Sequence, residues 1–158
     1  LLRGLGVLYK VVFVGGDKGN RKHIENIVAQ HELHEQVEFL GFTPVEDMRG
    51  LYEGSAAVVM PTYFGPTNLP PLEAWLSGSP LIYSTHLKEQ TGEAAIYVNP
   101  DNAMELAEAM KVCVETDTCP LVVLGMSRFQ QLEKMRDVAE KELINRLLQF
   151  EIRRRCWE

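Results

Sequence analysis

The chain has 158 residues, of which 46% are hydrophobic and 24% charged, and its formal net charge at pH 7 is −6. Such a composition is typical of one soluble globular domain with a hydrophobic core, and it excludes a disordered or fibrous chain. The acidic balance argues against a nucleic-acid partner, because binding to phosphates along a duplex needs a basic surface. Three cysteines at irregular spacing fit neither a zinc site nor a disulfide framework, and no apolar run approaches the ~20 residues of a membrane span. A cytoplasmic location is therefore expected.

Apolar segments alternate with helical segments over the first 117 residues. The segment 9–14 is rich in β-branched and aromatic residues and ends at two glycines, which predicts a central parallel strand covered on both faces. Asn20 and Asp101 are expected to cap helices, and Pro44 is expected to open one. The predicted strands span residues 9–14, 37–40, 56–60, 81–84 and 95–98, and the predicted helices span about 20–33, 44–54, 69–77 and 101–115. The chain begins without methionine at Leu1, and we expect it to be a piece of a longer protein.

This alternation predicts an α/β fold with a Rossmann-like parallel sheet and helices on both faces, because each crossover must return the chain to the same edge of the sheet. Ligands of such sheets bind beyond the carboxyl ends of the strands. The rule selects the loops 15–19, 41–43 and 61–68 as candidate site segments.

The last part of the chain is charged and helical. Residues 121–157 carry an apolar stripe that we expect to pack on the sheet, so the chain divides into a Rossmann-like part, 1–117, and a C-terminal helical segment, 118–158. The stripe consists of Phe129, Leu132, Met135, Ala139, Leu143, Leu147 and Phe150. Arg153, Arg154 and Arg155 near the end fit a solvated helix terminus or, alternatively, a peripheral contact with an anionic membrane surface.

The glycine turn after the first predicted strand lacks both common nucleotide motifs. Residues 15–20 read Gly-Gly-Asp-Lys-Gly-Asn, which fits neither G-x-G-x-x-G nor the P-loop. Gly15 and Gly16 would let the backbone approach a ligand closely, or they serve only a tight turn from strand to helix. Both interpretations remain open from the residues alone.

The most informative segment runs from Pro61 to Trp75, as a strand end, a loop rich in glycine and proline, and a helix start. Helix starts bind anions through free N–H groups, but Pro70 and Pro71 have none to offer. Donors to a phosphate must then come from Gly65, Thr67, Asn68 and Leu69. The side chains of Thr67 and Asn68 serve either ligand binding or helix capping.

Glu73 follows Leu69 by four residues and Pro70 by three. It therefore lies on the same face of the helix as these first residues. A carboxylate there can accept from both hydroxyls of a ribose, at roughly 1.5–3 kcal/mol for each charge-assisted bond. The alternative is a first-turn acid that interacts only with the helix dipole, at about 0.3–1 kcal/mol.

A series of short motifs then indicates a family. In order along the chain they are Val11 to Gly16, Val37 to Phe42, Leu51-Tyr52, Val59 to Thr62, Phe64-Gly65, Leu69 to Ala74, Gly78 to Ile82 and Val98 to Pro100. Over about residues 9–115 this order resembles the C-terminal, donor-binding domain of retaining GT-B glycosyltransferases of the group-1 family. The resemblance implies transfer of a sugar from a nucleotide-diphosphate sugar with retention of configuration, without a metal or other cofactor, in polysaccharide or glycoconjugate assembly.

Two departures from the family pattern affect the expected site. The family signature has two glutamates separated by seven residues; Glu73 matches the second, which holds the donor ribose, whereas the first falls on Gly65. The family domain also begins with a strand whose loop carries an arginine, followed by a lysine, and this strand is absent here. It would lie between segments 9–14 and 56–60, so the sheet should have a gap there, a rearrangement or a partner filling the space.

The resemblance therefore implies the donor-binding portion of a glycosyltransferase, with nucleotide sugar as ligand, the acceptor-binding N-terminal domain missing and no catalytic residue within this chain. In this interpretation Glu73 holds the ribose, Gly65 to Leu69 the phosphates and sugar, and Gly41-Phe42 the edge of the base. The full set of expected donor-binding residues is Gly15, Gly16, Gly41, Phe42, Phe64, Gly65, Pro66, Thr67, Asn68, Leu69 and Glu73. A GT-B-like domain without activity, acting as a binding or scaffold subunit, is the alternative that Gly65 suggests.

Overall fold

The computed structural model describes residues 1–6, 9–65 and 68–156. Over these residues, five strands alternate with five helices after a 3-10 turn at Leu2–Leu5, and a sixth helix follows the fifth. The alternation is the one that the sequence predicts for an α/β fold, except that the short helix at Lys88–Thr91 was not predicted. The strands are β1 (Val11–Val14), β2 (Val37–Gly41), β3 (Val58–Met60), β4 (Leu81–Ser84) and β5 (Ile96–Val98). The helices are α1 (Arg21–Gln30), α2 (Val45–Glu53), α3 (Pro70–Leu76), α4 (Lys88–Thr91), α5 (Ala103–Glu115) and α6 (Cys119–Arg155), with a second 3-10 turn at Thr85–Leu87.

The strands form two parallel sheets. Strand β1 pairs with β2, and β3, β4 and β5 pair in chain order. Over the described ranges no pairing joins β1 to β3. The sheets thus divide at the place where the family resemblance predicts an absent strand.

Strand β1 differs from its sequence prediction. It begins at Val11 rather than at residue 9, and Val12, Phe13 and Val14 are 40–42% exposed instead of covered on both faces. The apolar run is suited to a central strand, but β1 has only β2 as a hydrogen-bonded neighbour among the residues described. The described residues therefore do not bury β1 as fully as its composition predicts.

The core lies around β4, whose four residues are completely buried. Because neighbouring side chains of a strand point to opposite faces, Leu81 and Tyr83 join a cluster with Trp75 of α3, whereas Ile82 joins a second cluster with Cys113 of α5. Burial of each aliphatic side chain contributes about 1.5–3 kcal/mol. Helices α3 and α5 thus cover the two faces of this sheet.

Helix α6 packs on the domain only through its first half. Phe129 and Leu132 contact the cluster around Trp75, but Met135, Leu143, Leu147 and Phe150 are 58–68% exposed, so the expected packing of the whole stripe is wrong. A helix of 37 residues is about 55 Å long, longer than the small domain that it contacts. Among the described residues, no helix is both long and apolar enough to span a membrane.

Two of the predicted helix caps are replaced by neighbouring residues. Asn20 occupies the cap position of α1 but makes no capping bond, and the carboxylate of Asp17 instead accepts from the N–H of Arg21 at 3.3 Å. At α5 the cap is Asn102, whose Oδ1 accepts from two backbone N–H groups, rather than Asp101. Asp101 is thereby free to contact another part of the chain.

Candidate functional site

The loops that follow β2 and β3 carry exposed apolar side chains. Phe42 follows β2 and is 83% exposed; Phe64 and Leu69 lie between β3 and α3 and are 80% and 62% exposed. Large apolar side chains left in water at the carboxyl ends of parallel strands are typical of a ligand or partner surface.

The loops after β1 and β2 are joined by a backbone hydrogen bond. The N–H of Gly15 donates to the carbonyl oxygen of Gly41 at 2.7 Å, and both residues have positive φ, 120° and 70°. Other residues adopt these values only with strain, so glycine is required for the turn at both positions. The predicted contact residues Gly15 and Gly41 thus lie against each other.

An open cleft of about 170 Å³ lies beside this glycine pair. Lys18 and Arg21 contribute positive charge to its wall, and the guanidinium of Arg21 lies 5.1 Å from the ring centroid of Phe39. Asp17 is in the same wall, and the N–H groups of Gly19 and Arg21 that it accepts from hold the pKa of its carboxyl below the usual value.

The loop between β3 and α3 is built around Gly65 and Asn68. Gly65 has a φ of 147°, and a Cβ on this residue would lie 2.5 Å from Cγ of Asn68. The side-chain amide of Asn68 therefore occupies the space that a side chain at position 65 would enter. A larger residue would have to displace Asn68.

Asn68 is fixed by a closed ring of three hydrogen bonds. Its Nδ2 donates to the hydroxyl of Tyr83 at 2.6 Å, this hydroxyl donates to Oε1 of Gln90 at 2.8 Å, and Nε2 of Gln90 donates to the Asn68 carbonyl oxygen at 2.9 Å. The guanidinium of Arg128 on α6 donates to the carbonyl oxygens of Glu89 and Gln90. The loop is thus connected to β4, α4 and α6.

The substitution Gly65→Ala is expected to destabilise the protein by about 1–3 kcal/mol, since it combines an unfavourable φ with overlap on Asn68. Chemical denaturation measures the change in the free energy of unfolding. Gly16→Ala is the matched control, because Gly16 has open space around it and no positive φ, and it should change stability by less than about 0.5 kcal/mol. Equal effects of the two substitutions would contradict the assigned role of Gly65.

Glu73 lies in the first turn of α3 and is exposed. Its Oε2 accepts from the hydroxyl of Tyr52, in the last turn of α2, at 2.7 Å. Partial burial and the bond to Glu73 raise the pKa of Tyr52, so its hydroxyl stays protonated as a donor. Among the residues that the structure describes, none bonds to the second oxygen, Oε1, of this exposed side chain. Leu69 is the N-cap of α3, and Pro70 and Pro71 occupy its first positions, as the sequence predicts.

A third contact joins the loop after β3 to the segment after β5. The hydroxyl of Tyr63 donates to the carboxylate of Asp101, and this bond raises the pKa of Tyr63. The ring of Tyr63 also lies 5.7 Å from that of His86, after β4. In the part of the chain that the structure describes, no three His, Cys, Asp or Glu side chains gather into a metal-binding group.

Comparison with known proteins assigns the family. Residues 6–116, which include β1 to β5 and the candidate segments 15–19, 41–43 and 61–68, match the family described as Glycosyl transferases group 1. The chain belongs to the group 1 glycosyl transferases. This range agrees closely with residues 9–115, over which the sequence motifs predict the family.

Two curated relatives of this glycosyl transferase are named as O-antigen chain mannosyltransferases. The chain is 30% identical over 105 residues to O-antigen chain mannosyltransferase RfbU of Salmonella typhimurium, covering 65% of this chain and 30% of the relative. It is 29% identical over 84 residues to O-antigen chain mannosyltransferase B of Escherichia coli, covering 52% of this chain and 22% of the relative. The chain thus spans less than a third of either relative.

Solved structures confirm the GT-B fold. Sucrose-phosphate synthase from Thermosynechococcus elongatus superposes with a TM-score of 0.75 at 25% identity, covering 88% of this chain and 38% of that protein. Anabaena Alr3699/HepE, solved in complex with UDP, gives a TM-score of 0.70 at 20% identity over 84% of this chain and 40% of that protein. The second likeness is evidence for the fold alone.

In the structure, the predicted site residues form separate small groups. Gly15 contacts Gly41, Gly65 lies against Asn68, and Glu73 is bound by Tyr52. Pro66 and Thr67, which complete the predicted phosphate loop, lie outside the described residues.

Several contacts of these groups were missed by sequence reasoning. Tyr52 was part of a motif that resembles the family, but nothing local to Leu51-Tyr52 signals a bond to a residue 21 positions later. Tyr83, Gln90 and Arg128 gave no local signal either, since each acts on the loop only through the tertiary fold.

Proposed function

We propose that this chain is the donor-binding portion of a retaining glycosyltransferase, which transfers a sugar from a nucleotide-diphosphate sugar to a glycan or glycoconjugate acceptor. The observation that carries the proposal is Glu73, an exposed carboxylate at the first turn of α3 with one oxygen held by Tyr52 and the other available. In this group 1 glycosyl transferase it lies directly after the loop at the carboxyl end of β3, where the fold class binds ligands.

Each part of the donor would meet one group of residues. Glu73 accepts from the ribose hydroxyls, the segment from Gly65 to Leu69 donates to the diphosphate and contacts the sugar, and the Gly41-Phe42 pair borders the base. Gly15 and Gly16 allow close approach beside Gly41. The exposed rings of Phe42 and Phe64 supply apolar surface of the kind that nucleotide sites use.

We propose that the leaving diphosphate is neutralised by positive side chains and amide dipoles rather than by a divalent ion. The chain contains no Asp-x-Asp motif, and the family resemblance implies metal-free transfer. Oriented donors of this kind stabilise developing negative charge at low reorganisation cost. Residues that act on the acceptor belong, in this proposal, to a further domain, with the Rossmann-like part (1–117) and the helical segment (118–158) forming the donor side.

We further propose that the protein works in the cytoplasm, with Arg153, Arg154 and Arg155 near the end of α6 available for peripheral contact with an anionic membrane surface. These arginines lie in the last turn of the helix and are exposed, and Arg155 is paired with Glu151 at 2.5 Å. Each basic residue close to such a surface contributes about 1 kcal/mol of attraction.

A second function is favoured by one observation. Asn68 fills the space beside Gly65, where the family has its first acid, and this fits a GT-B-like domain that binds but does not catalyse. Incubation of the full-length protein with UDP-, GDP- and ADP-linked sugars and a glycan acceptor separates the two. NMR of the product determines its anomeric configuration. A product with the same anomeric configuration as the donor supports the enzyme, whereas binding of a donor without turnover supports the scaffold.

A further inference from the structure

Tyr52 is held in place at both of its ends. Its main-chain oxygen accepts from the hydroxyls of Ser55, at 2.8 Å, and Ser79, at 2.5 Å, and Ser79 is 2% exposed just before β4. Its side-chain hydroxyl reaches across to Glu73 on α3. The residue therefore connects the end of α2, the start of β4 and the start of α3.

Glu73 needs such a contact to present one fixed acceptor. An exposed glutamate rotates about three side-chain bonds, and a ligand that binds it must immobilise it. The bond from Tyr52 to Oε2 restricts this rotation before any ligand arrives, and it leaves Oε1 without a partner in the described structure.

We propose that Tyr52 is a positioning residue that orients the carboxylate of Glu73 toward the ribose of the donor. This inference rests on the proposed role of Glu73. Tyr52 does not itself touch the ligand; it selects the rotamer in which Glu73 Oε1 faces the hydroxyls. A different role, in which Tyr52 only braces α2 against α3, would affect every ligand of the site equally.

The substitution Tyr52→Phe separates the two roles because it removes only the hydroxyl. Affinities of the full-length protein are measured by calorimetry for UDP, GDP and ADP, and for their 2′,3′-dideoxy forms, which lack the hydroxyls that Glu73 would accept from. We expect Tyr52→Phe to weaken the tightest ribonucleotide about three- to tenfold, the effect of immobilising one flexible side chain, and to leave its dideoxy form unchanged.

Two further variants complete the test. Tyr97→Phe is the matched control: Tyr97 is a half-buried tyrosine of β5 whose hydroxyl bonds to Thr91, and its loss should leave the ratio of the two affinities unchanged. In a Glu73→Ala background, Tyr52→Phe should have no additional effect on the ribonucleotide. Thermal denaturation of each variant measures the purely structural contribution.

The measurements distinguish a wrong role for Tyr52 from a wrong role for Glu73. Equal loss of both nucleotide forms in Tyr52→Phe, or no loss of either, would overturn the positioning role. If the wild-type protein binds the ribonucleotide and its dideoxy form equally well, the ribose role of Glu73 itself is wrong, and the proposed function loses its main support independently of Tyr52.

Discussion

Replacement of Gly125 with alanine is expected to lower the free energy of unfolding by about 2–3 kcal/mol. Gly125 lies in α6 directly against Trp75, and an added Cβ would lie 2.7 Å from both Cγ and Nε1 of the indole. Trp75 has little room to retreat, since it is 1% exposed and its Nε1 donates to the carbonyl oxygen of Ala94 at 3.2 Å. The first half of α6 would separate from the core.

Thermal denaturation measures this effect as a fall in Tm of about 5–10 °C for a chain of this size. The control is Gly50→Ala in α2, where the glycine is exposed and has open space around it. Alanine is the better helix former, so this variant should be more stable by about 0.5–1 kcal/mol. A Gly125→Ala protein as stable as the wild type would contradict the described packing of α6 on α3.

Glu73→Ala is expected to weaken the binding of nucleoside diphosphates about 10- to 100-fold. This range corresponds to the loss of one charge-assisted hydrogen bond of about 1.5–3 kcal/mol, because Oε2 of Glu73 already accepts from Tyr52 and about 1.4 kcal/mol is a factor of ten in affinity. Titration calorimetry with UDP, GDP and ADP on the full-length protein measures the change.

The matched control is Glu108→Ala, which removes an exposed acid of α5 and alters the net charge by the same amount. It should leave the affinity unchanged, so that a general electrostatic effect is separated from the local one. An affinity of Glu73→Ala equal to that of the wild type would remove the ribose assignment.

The sequence predicted the elements well where local pattern and tertiary burial agree. The alternation of β3, α3, β4 and β5 follows from short apolar runs separated by glycine, proline and polar turns, and β4 is as completely buried as its composition suggests. The start of α3 at Pro70 was predictable because proline is favoured in the first turn of a helix.

Features that depend on distant parts of the chain could not be predicted from local pattern. The apolar segment of β1 predicts full burial, but burial requires neighbours, and β1 has a hydrogen-bonded partner on one edge only within the ranges described. The stripe of α6 predicts one continuous packed face, whereas the helix extends beyond the surface that it contacts. The bond between Tyr52 and Glu73 joins two helices whose relative position no short segment encodes.

The structure explains more about Gly65, which replaces the first glutamate of the family signature, than the sequence does. The motif comparison indicates only that the first family acid is absent. The structure adds that the backbone at Gly65 adopts a φ of 147° and that Asn68, fixed by Tyr83 and Gln90, fills the adjoining space. The loop is thus built for glycine at this position, and an acid could return only with a rearrangement of Asn68.

The most direct test of the proposed donor site is amide chemical-shift mapping of the ¹⁵N-labelled protein during titration with UDP and with GDP. We predict that the largest shifts occur at Gly41, Gly65, Asn68 and Glu73, around the carboxyl ends of β2 and β3. The cleft of about 280 Å³ between the N-terminal turn, β1 and α5, lined by Leu2, Val11 and Leu106, should be unaffected. Shifts confined to that cleft or to α6, with none at the loop before α3 or at Glu73, would contradict the account.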